Sequence, residues 1–195
     1  CFLQDVNVLY NTALGLYDIK LTLAIAQHSQ KDPKEYLPFL QNLHSQTELR
    51  RKFLIDTHLK KFEKAIQHLA EIIQNDDQIT EEFQNYVVDH ELYKVALGIY
   101  RYEHEKQNAI LDLYAKNLYS KQEYIEAGIT YELLGKLDDA LEAYILGQKW
   151  REALAITERE EFESQMEETA ERLVTSLTEN HKYSDAATIE FKFLN

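Results

Sequence analysis

Seven histidines, one cysteine and several adjacent acid pairs are the residues of this 195-residue chain that could do chemistry. The histidines stand at His28, His44, His58, His68, His90, His104 and His181, and none forms the H-E-x-x-H spacing that puts two imidazoles on one helical face around zinc. His90-Glu91 and His104-Glu105 come nearest to ligand pairs, but both read as solvated residues at helix ends. Cys1 has no second thiol for a disulfide or a zinc site. Asp76-Asp77, Asp138-Asp139 and Glu167-Glu168 would have to share a proton to work as acid–base dyads. At helix starts they are better explained as carboxylates complementing the positive end of the helix dipole. G-x-G-x-x-G, G-x-x-x-x-G-K-[ST] and G-x-S-x-G are absent. The sequence therefore assigns no catalytic residue, no metal ligand and no cofactor.

Charge supplies a second kind of candidate. The net charge is −13, which argues against broad binding to nucleic acid or to an anionic membrane. From Lys31 to Lys64, however, eight basic residues face five acidic ones. Arg50, Arg51, Lys52, Lys60, Lys61 and Lys64 are the candidates there for contact with phosphates or with an acidic partner. A solvated helix face laced with i,i+4 pairs explains the same residues. The acidic stretch EREEFESQMEETAE at 158–171 reads as a solvated helix face and its turn, or as a docking surface for a basic partner.

The elements that must hold these residues are helices. Only 5 Gly and 2 Pro occur, leaving little turn chemistry for a sheet. An apolar or aromatic residue, then alanine three further on, then a large residue four beyond, recurs along the chain. The pairs are Tyr10-Ala13, Phe62-Ala65, Tyr93-Ala96, Tyr124-Ala127, Leu137-Ala140, Trp150-Ala153 and Tyr183-Ala186. The last two lose the third member, where Thr157 and Glu190 stand. Two occurrences, YNTALGLY (10–17) and YKVALGIY (93–100), share five of eight letters. The spacing draws one helical face. The small residue lets a neighbouring helix approach while its large neighbours lock around it. Gly15, Gly98 and Gly128, each beside one of these alanines, predict close backbone contact.

Steps of 31, 31 and 33 residues between leaders predict a repeat array, while steps of 13 and 52 predict short helices and an insertion. Helical patterns run through 4–16, 19–29, 33–43, 47–60, 62–74, 79–89, 92–101, 105–119, 122–134, 137–146, 150–162, 164–179 and 183–194. Asp32-Pro33 reads as an N-cap with proline at the first helical position, and Pro38 should kink or shorten that helix. Gly135 and Gly147 mark helix ends. The expected fold is all-α: an irregular tetratricopeptide-like α-solenoid of stacked antiparallel helix hairpins, forming a single segment over 1–195. A chain that opens on Cys1 and stops inside a helical pattern reads as an interior piece of a longer protein.

SQKDPKEYLPFLQNL (29–43), RRKFLIDTHLKKFEKAIQHL (50–69), YELLGKLDDALEAY (131–144) and KWREALAI (149–156) go beyond pattern. They resemble the central tetratricopeptide-like region of the largest, scaffold subunit of the Elongator complex, the IkappaB-kinase-complex-associated protein family, with the fungal members most alike. KDPKEYLPFL is the most specific segment. The resemblance implies a non-catalytic scaffold supporting the assembly that modifies the wobble uridine of tRNA. It implies as partners the other Elongator subunits, including the catalytic subunit with radical S-adenosylmethionine and acetyltransferase domains and a propeller subunit. It also implies a homodimer formed through a region C-terminal to this one, weak or indirect tRNA contact here, no membrane, and a cytoplasmic location with a nuclear pool left open. The bare helical words would equally suit the solenoid of a vesicle-coat or intraflagellar-transport assembly, which remains the alternative.

Overall fold

The computed structural model describes residues 2–29, 32–159 and 162–194. Among them are thirteen α-helices, one 3-10 turn and no strand. The helices are α1 (Phe2–Gly15), α2 (Ile19–His28), α3 (Pro33–Ser45), α4 (Glu48–His58), α5 (Phe62–Ile72), α6 (Glu81–Asp89) and α7 (Tyr93–Ile99). They continue with α8 (His104–Ser120), α9 (Tyr124–Leu133), α10 (Leu137–Leu146), α11 (Trp150–Thr157), α12 (Met166–Glu179) and α13 (Tyr183–Phe193), with the 3-10 turn at Glu163–Gln165. The all-α solenoid expected from the helical words is the fold observed. No helix among the described residues is long and apolar enough to cross a membrane.

Backbone contacts group the chain into two compact units, residues 1–106 and 107–195. In the first, α1 packs on α2 and α4, α3 on its chain neighbours, α4 on α5, and α7 on both α5 and α6. Tyr10, Leu14, Ala26, Tyr36, Leu40, Leu43 and Ile55 form one cluster of its core. In the second, α9, α10, α11, α12 and α13 each pack on the next, and α10 also reaches α12. Its core runs from Ala115 and Leu118 through Tyr131, Tyr144 and Trp150 to Leu173, Leu177 and Ile189. Contact with the next helix and the next but one is how a solenoid closes its core.

Helix entry takes two recurring forms. Asp18, Asp32, Thr47 and Thr80 cap α2, α3, α4 and α6 through their side chains. Asp32 accepts from the Lys34 amide at 2.9 Å, as its Asp-Pro spacing predicts. Pro38 does not shorten α3, which runs on to Ser45. It stands in the second turn, so the one backbone bond it forfeits is to the carbonyl of exposed Lys34, where water can take the donor's place.

Candidate functional site

Among the described residues seven helices, α5, α7, α9, α10, α11, α12 and α13, have no side-chain cap, and the six other than α12 share one form of entry. Each of these six starts two residues after a left-handed residue: Lys60 (φ 58°), Glu91 (53°), Gln122 (65°), Gly135 (72°), Gln148 (55°) and His181 (60°). The next amide in each case bonds back to a carbonyl five residues earlier. These bonds are Lys61 to Asp56 (2.8 Å), Leu92 to Val87 (2.9 Å), Glu123 to Leu118 (2.9 Å), Lys136 to Tyr131 (2.9 Å), Lys149 to Tyr144 (2.9 Å) and Lys182 to Leu177 (2.8 Å). This is the Schellman closure, and it satisfies carbonyls left open at a helix end. A left-handed backbone costs a non-glycine residue about 1–2 kcal/mol. The returned hydrogen bonds and the burial that follows offset that cost.

The leader of the repeated word comes next, and the alanine makes the first full helical bond. Ala65, Ala96, Ala127, Ala140, Ala153 and Ala186 donate to the carbonyls of Lys61, Leu92, Glu123, Lys136, Lys149 and Lys182. All six alanines are buried, as is Ala13. Among the leaders Tyr10, Tyr93 and Trp150 are buried, and Phe62, Tyr124 and Leu137 are half-buried. Tyr183 departs from the packing role: it is 59% exposed, its hydroxyl 2.9 Å from His181 Nδ1 instead of in the core. Thr157 keeps a packing position that its polarity conceals, since it is fully buried with its hydroxyl donating to the Leu154 carbonyl at 2.9 Å.

The glycines divide. A Cβ on Gly128 would stand 2.6 Å from the Tyr144 ring, so α9 and α10 approach as closely as the sequence predicts. A Cβ on Gly15 would meet Lys61 Nζ at 3.2 Å, a flexible neighbour. Gly98 faces nothing within 4 Å, and close contact is not its reason for being there. Gly135 supplies a left-handed end, whereas at the α10 end Gln148 does so. Gly147 instead makes room for Ile125, 3.1 Å from where its Cβ would be.

The basic candidates gather mostly on partners inside residues 1–106. Arg50 makes a two-pronged pair with Glu82, one arm at 2.8 Å, and that bond raises its pKa. Arg51 donates Nε to the Leu43 carbonyl at 2.9 Å and Nη2 to that of Gln46 at 3.1 Å, tying the α3–α4 turn. Lys52 pairs with Glu48 at 2.7 Å and holds its carboxyl below the usual range. Lys64 Nζ lies 4.9 Å, and Lys52 Nζ 5.9 Å, from the centre of the Tyr17 ring. Lys60 is exposed at its left-handed turn.

Tyr17 is the centre of this junction. It is left-handed (φ 62°), and its hydroxyl donates to Asp56 Oδ2 at 2.7 Å. His68 Nε2 lies 3.3 Å from the same oxygen. Asp56 is fully enclosed, and its Oδ1 is buried without a hydrogen-bond partner among the described residues. Burial pushes the Tyr17 phenol up, against the pull of Lys64. A tyrosine, a carboxylate and an imidazole in a row have the parts for proton transfer, but an enclosed carboxylate cannot touch a substrate. What the cluster does is hold the α1–α2 turn on the α4–α5 hairpin. Sequence reasoning missed it. The available signal was Asp56 three residues after Phe53 on the buried face of α4.

The fold and the repeated hairpin entry define a helical-repeat solenoid of the tetratricopeptide type. Residues 50–195 match the family model described as the ELP1 TPR domain, and residues 1–43 match that of the ELP1 alpha-solenoid. The chain belongs to the Elongator complex protein 1 family. It is 52% identical over 195 residues to Elongator complex protein 1 of Saccharomyces cerevisiae, covering 100% of this chain and 14% of that protein. Identity to the Schizosaccharomyces pombe protein of the same name is 44% over 196 residues (100% and 15%), and to that of Mus musculus 37% over 188 residues (96% and 14%). The chain thus spans 14–15% of the length of these relatives.

Proposed function

We propose that this segment is a non-catalytic scaffold region of the Elongator complex, supporting the assembly on which tRNA wobble-uridine modification depends. The observation that carries the reading is the family match over residues 50–195, on a chain whose repeated residues are spent on packing helix against helix. On this reading the chemistry belongs to the radical S-adenosylmethionine and acetyltransferase subunit, and a propeller subunit is a further partner. Dimerisation belongs to a region C-terminal to this one. Contact with tRNA here is weak or indirect, since four of the six candidate cations, Arg50, Arg51, Lys52 and Lys64, are engaged by groups of their own unit. The protein works in the cytoplasm. The test is Ala140→Phe in the full-length protein, reading subunit stoichiometry and wobble-uridine modification together. Modification falling in proportion to assembled complex supports a scaffold. Modification lost from complex assembled at normal abundance overturns it.

A further inference from the structure

Helix α9 carries apolar residues on its open face as well as on its buried one. Ala127, Gly128, Thr130 and Tyr131 are buried. Ile125 is half-buried, Ile129 is 57% exposed and Leu133 is 73% exposed. At 3.6 residues per turn these three fall within an arc of about 80° and run about 12 Å along the helix. Glu132 lies about 20° outside one edge of that arc and Glu126 about 20° outside the other. The stripe is therefore apolar with an exposed carboxylate on each flank. Single exposed leucines are ordinary, but two large aliphatic side chains one turn apart on the open face of a packed helix are not.

Charge decides among occupants. Residues 107–195 contain nine Lys and Arg against eighteen Asp and Glu. The Glu126 carboxylate has no ion pair among the described residues, and Glu132 meets Arg159 at 3.3 Å while accepting the Tyr144 hydroxyl at 2.9 Å. A second copy of this chain, itself at −13, would bring like charge to the stripe, and RNA or an anionic bilayer would do the same. We propose that the Ile125-Ile129-Leu133 face of α9 is a docking surface for a basic amphipathic helix of another protein in the assembly. Its apolar residues, spaced i and i+4, lie on the stripe, and Lys or Arg beside them meet Glu126 and Glu132. This deepens the scaffold reading and rests on it.

The test uses the full-length protein in its purified assembled complex. A photo-activated cross-linking residue at position 133 is expected to capture a partner helix with Lys or Arg flanking aliphatic residues one turn apart. The double substitution Ile129→Ser with Leu133→Ser, and separately Glu126→Lys, should each lower occupancy of that partner about tenfold or more. The melting temperature should not change, because the substituted side chains are exposed. If the double variant melts early, Glu126→Lys decides alone. Capture of a second copy, of an acidic or non-helical segment or of nothing overturns the proposal, as does full partner occupancy in the variants. Should the wild-type protein recruit no other subunit at all, the scaffold reading fails first.

Discussion

YNTALGLY at 10–17 and YKVALGIY at 93–100 are nearly one word, yet they sit in different registers of their helices. Tyr93 opens α7 directly after the left-handed turn at Glu91, and Tyr100 closes it, buried against Phe83 at 5.4 Å between ring centres. Tyr10 stands deep in α1, and the second tyrosine, Tyr17, lies beyond the helix as the left-handed residue itself. The tyrosines differ in chemistry accordingly. The Tyr17 hydroxyl donates to Asp56 at 2.7 Å, whereas that of Tyr100 is buried with no partner among the described residues. The shared i, i+3, i+7 spacing fixes a face. Where that face starts along the helix depends on the turn before it.

The largest difference between the two words is expected at their final tyrosines. His68→Leu in a Tyr17→Phe background strips both neighbours from the enclosed Asp56 carboxyl group and should cost more than either change alone. Tyr17→Phe alone should cost about 1–3 kcal/mol. Tyr100→Phe deletes a hydroxyl that nothing uses and should be neutral or stabilising. Urea unfolding of the 195-residue chain measures all three, and equal losses for Tyr17→Phe and Tyr100→Phe would erase the distinction.

A smaller contrast concerns the glycines beside the alanines. Gly128→Ala drives a methyl into the Tyr144 ring and should cost about 1–3 kcal/mol, as overpacking does. Gly98→Ala meets open space in a helix interior and should gain about 0.5–1 kcal/mol. Opposite shifts in melting temperature are the expected result, and a loss at both sites would mean that α7 packs more tightly than its geometry shows.

Alkaline pH sharpens the comparison further. Burial, followed by Glu103 and Asp76, pushes the Tyr100 phenol from 10.0 up to about 12. The folded value lies above the unfolded one, so the neutral phenol's contribution is complete below about pH 10 and is lost as pH climbs towards 12. Tyr100→Phe should flatten the decline in melting temperature over that window. The decline would not vanish, since burial also raises Tyr10, Tyr86 and Tyr131. An unaltered slope would remove Tyr100 from the account.

Helix number and face were readable because i, i+3, i+4 periodicity survives in single letters, and the alanine of every word lies in the core. The entry turn was not readable. Its left-handed residue is glycine only at Gly135, while Lys60, Glu91, Gln122, Gln148 and His181 do the same work without the residue that normally announces it. The basic stretch was visible as charge but not as pairing. Arg50 finds Glu82 thirty-two positions away, and Arg51 takes backbone carbonyls, which no side-chain spacing encodes. Pro38 leaves the length of α3 intact because proline is most disruptive in a helix where the lost carbonyl is buried, and Lys34 is exposed.

In six of the seven words the alanine three residues after the leader is a close-packing point set by the left-handed turn before it. Ala96 is fully buried, its amide bonded to the Leu92 carbonyl at 2.9 Å in a helix lying on α5 and α6. Its neighbour Lys94 is exposed in the same helix. Thermal unfolding of Ala96→Phe beside Lys94→Phe compares one added ring at two positions of α7. A loss of about 1–3 kcal/mol or more at Ala96, with little change at Lys94, is the predicted result. Equal melting temperatures for the two variants would contradict it.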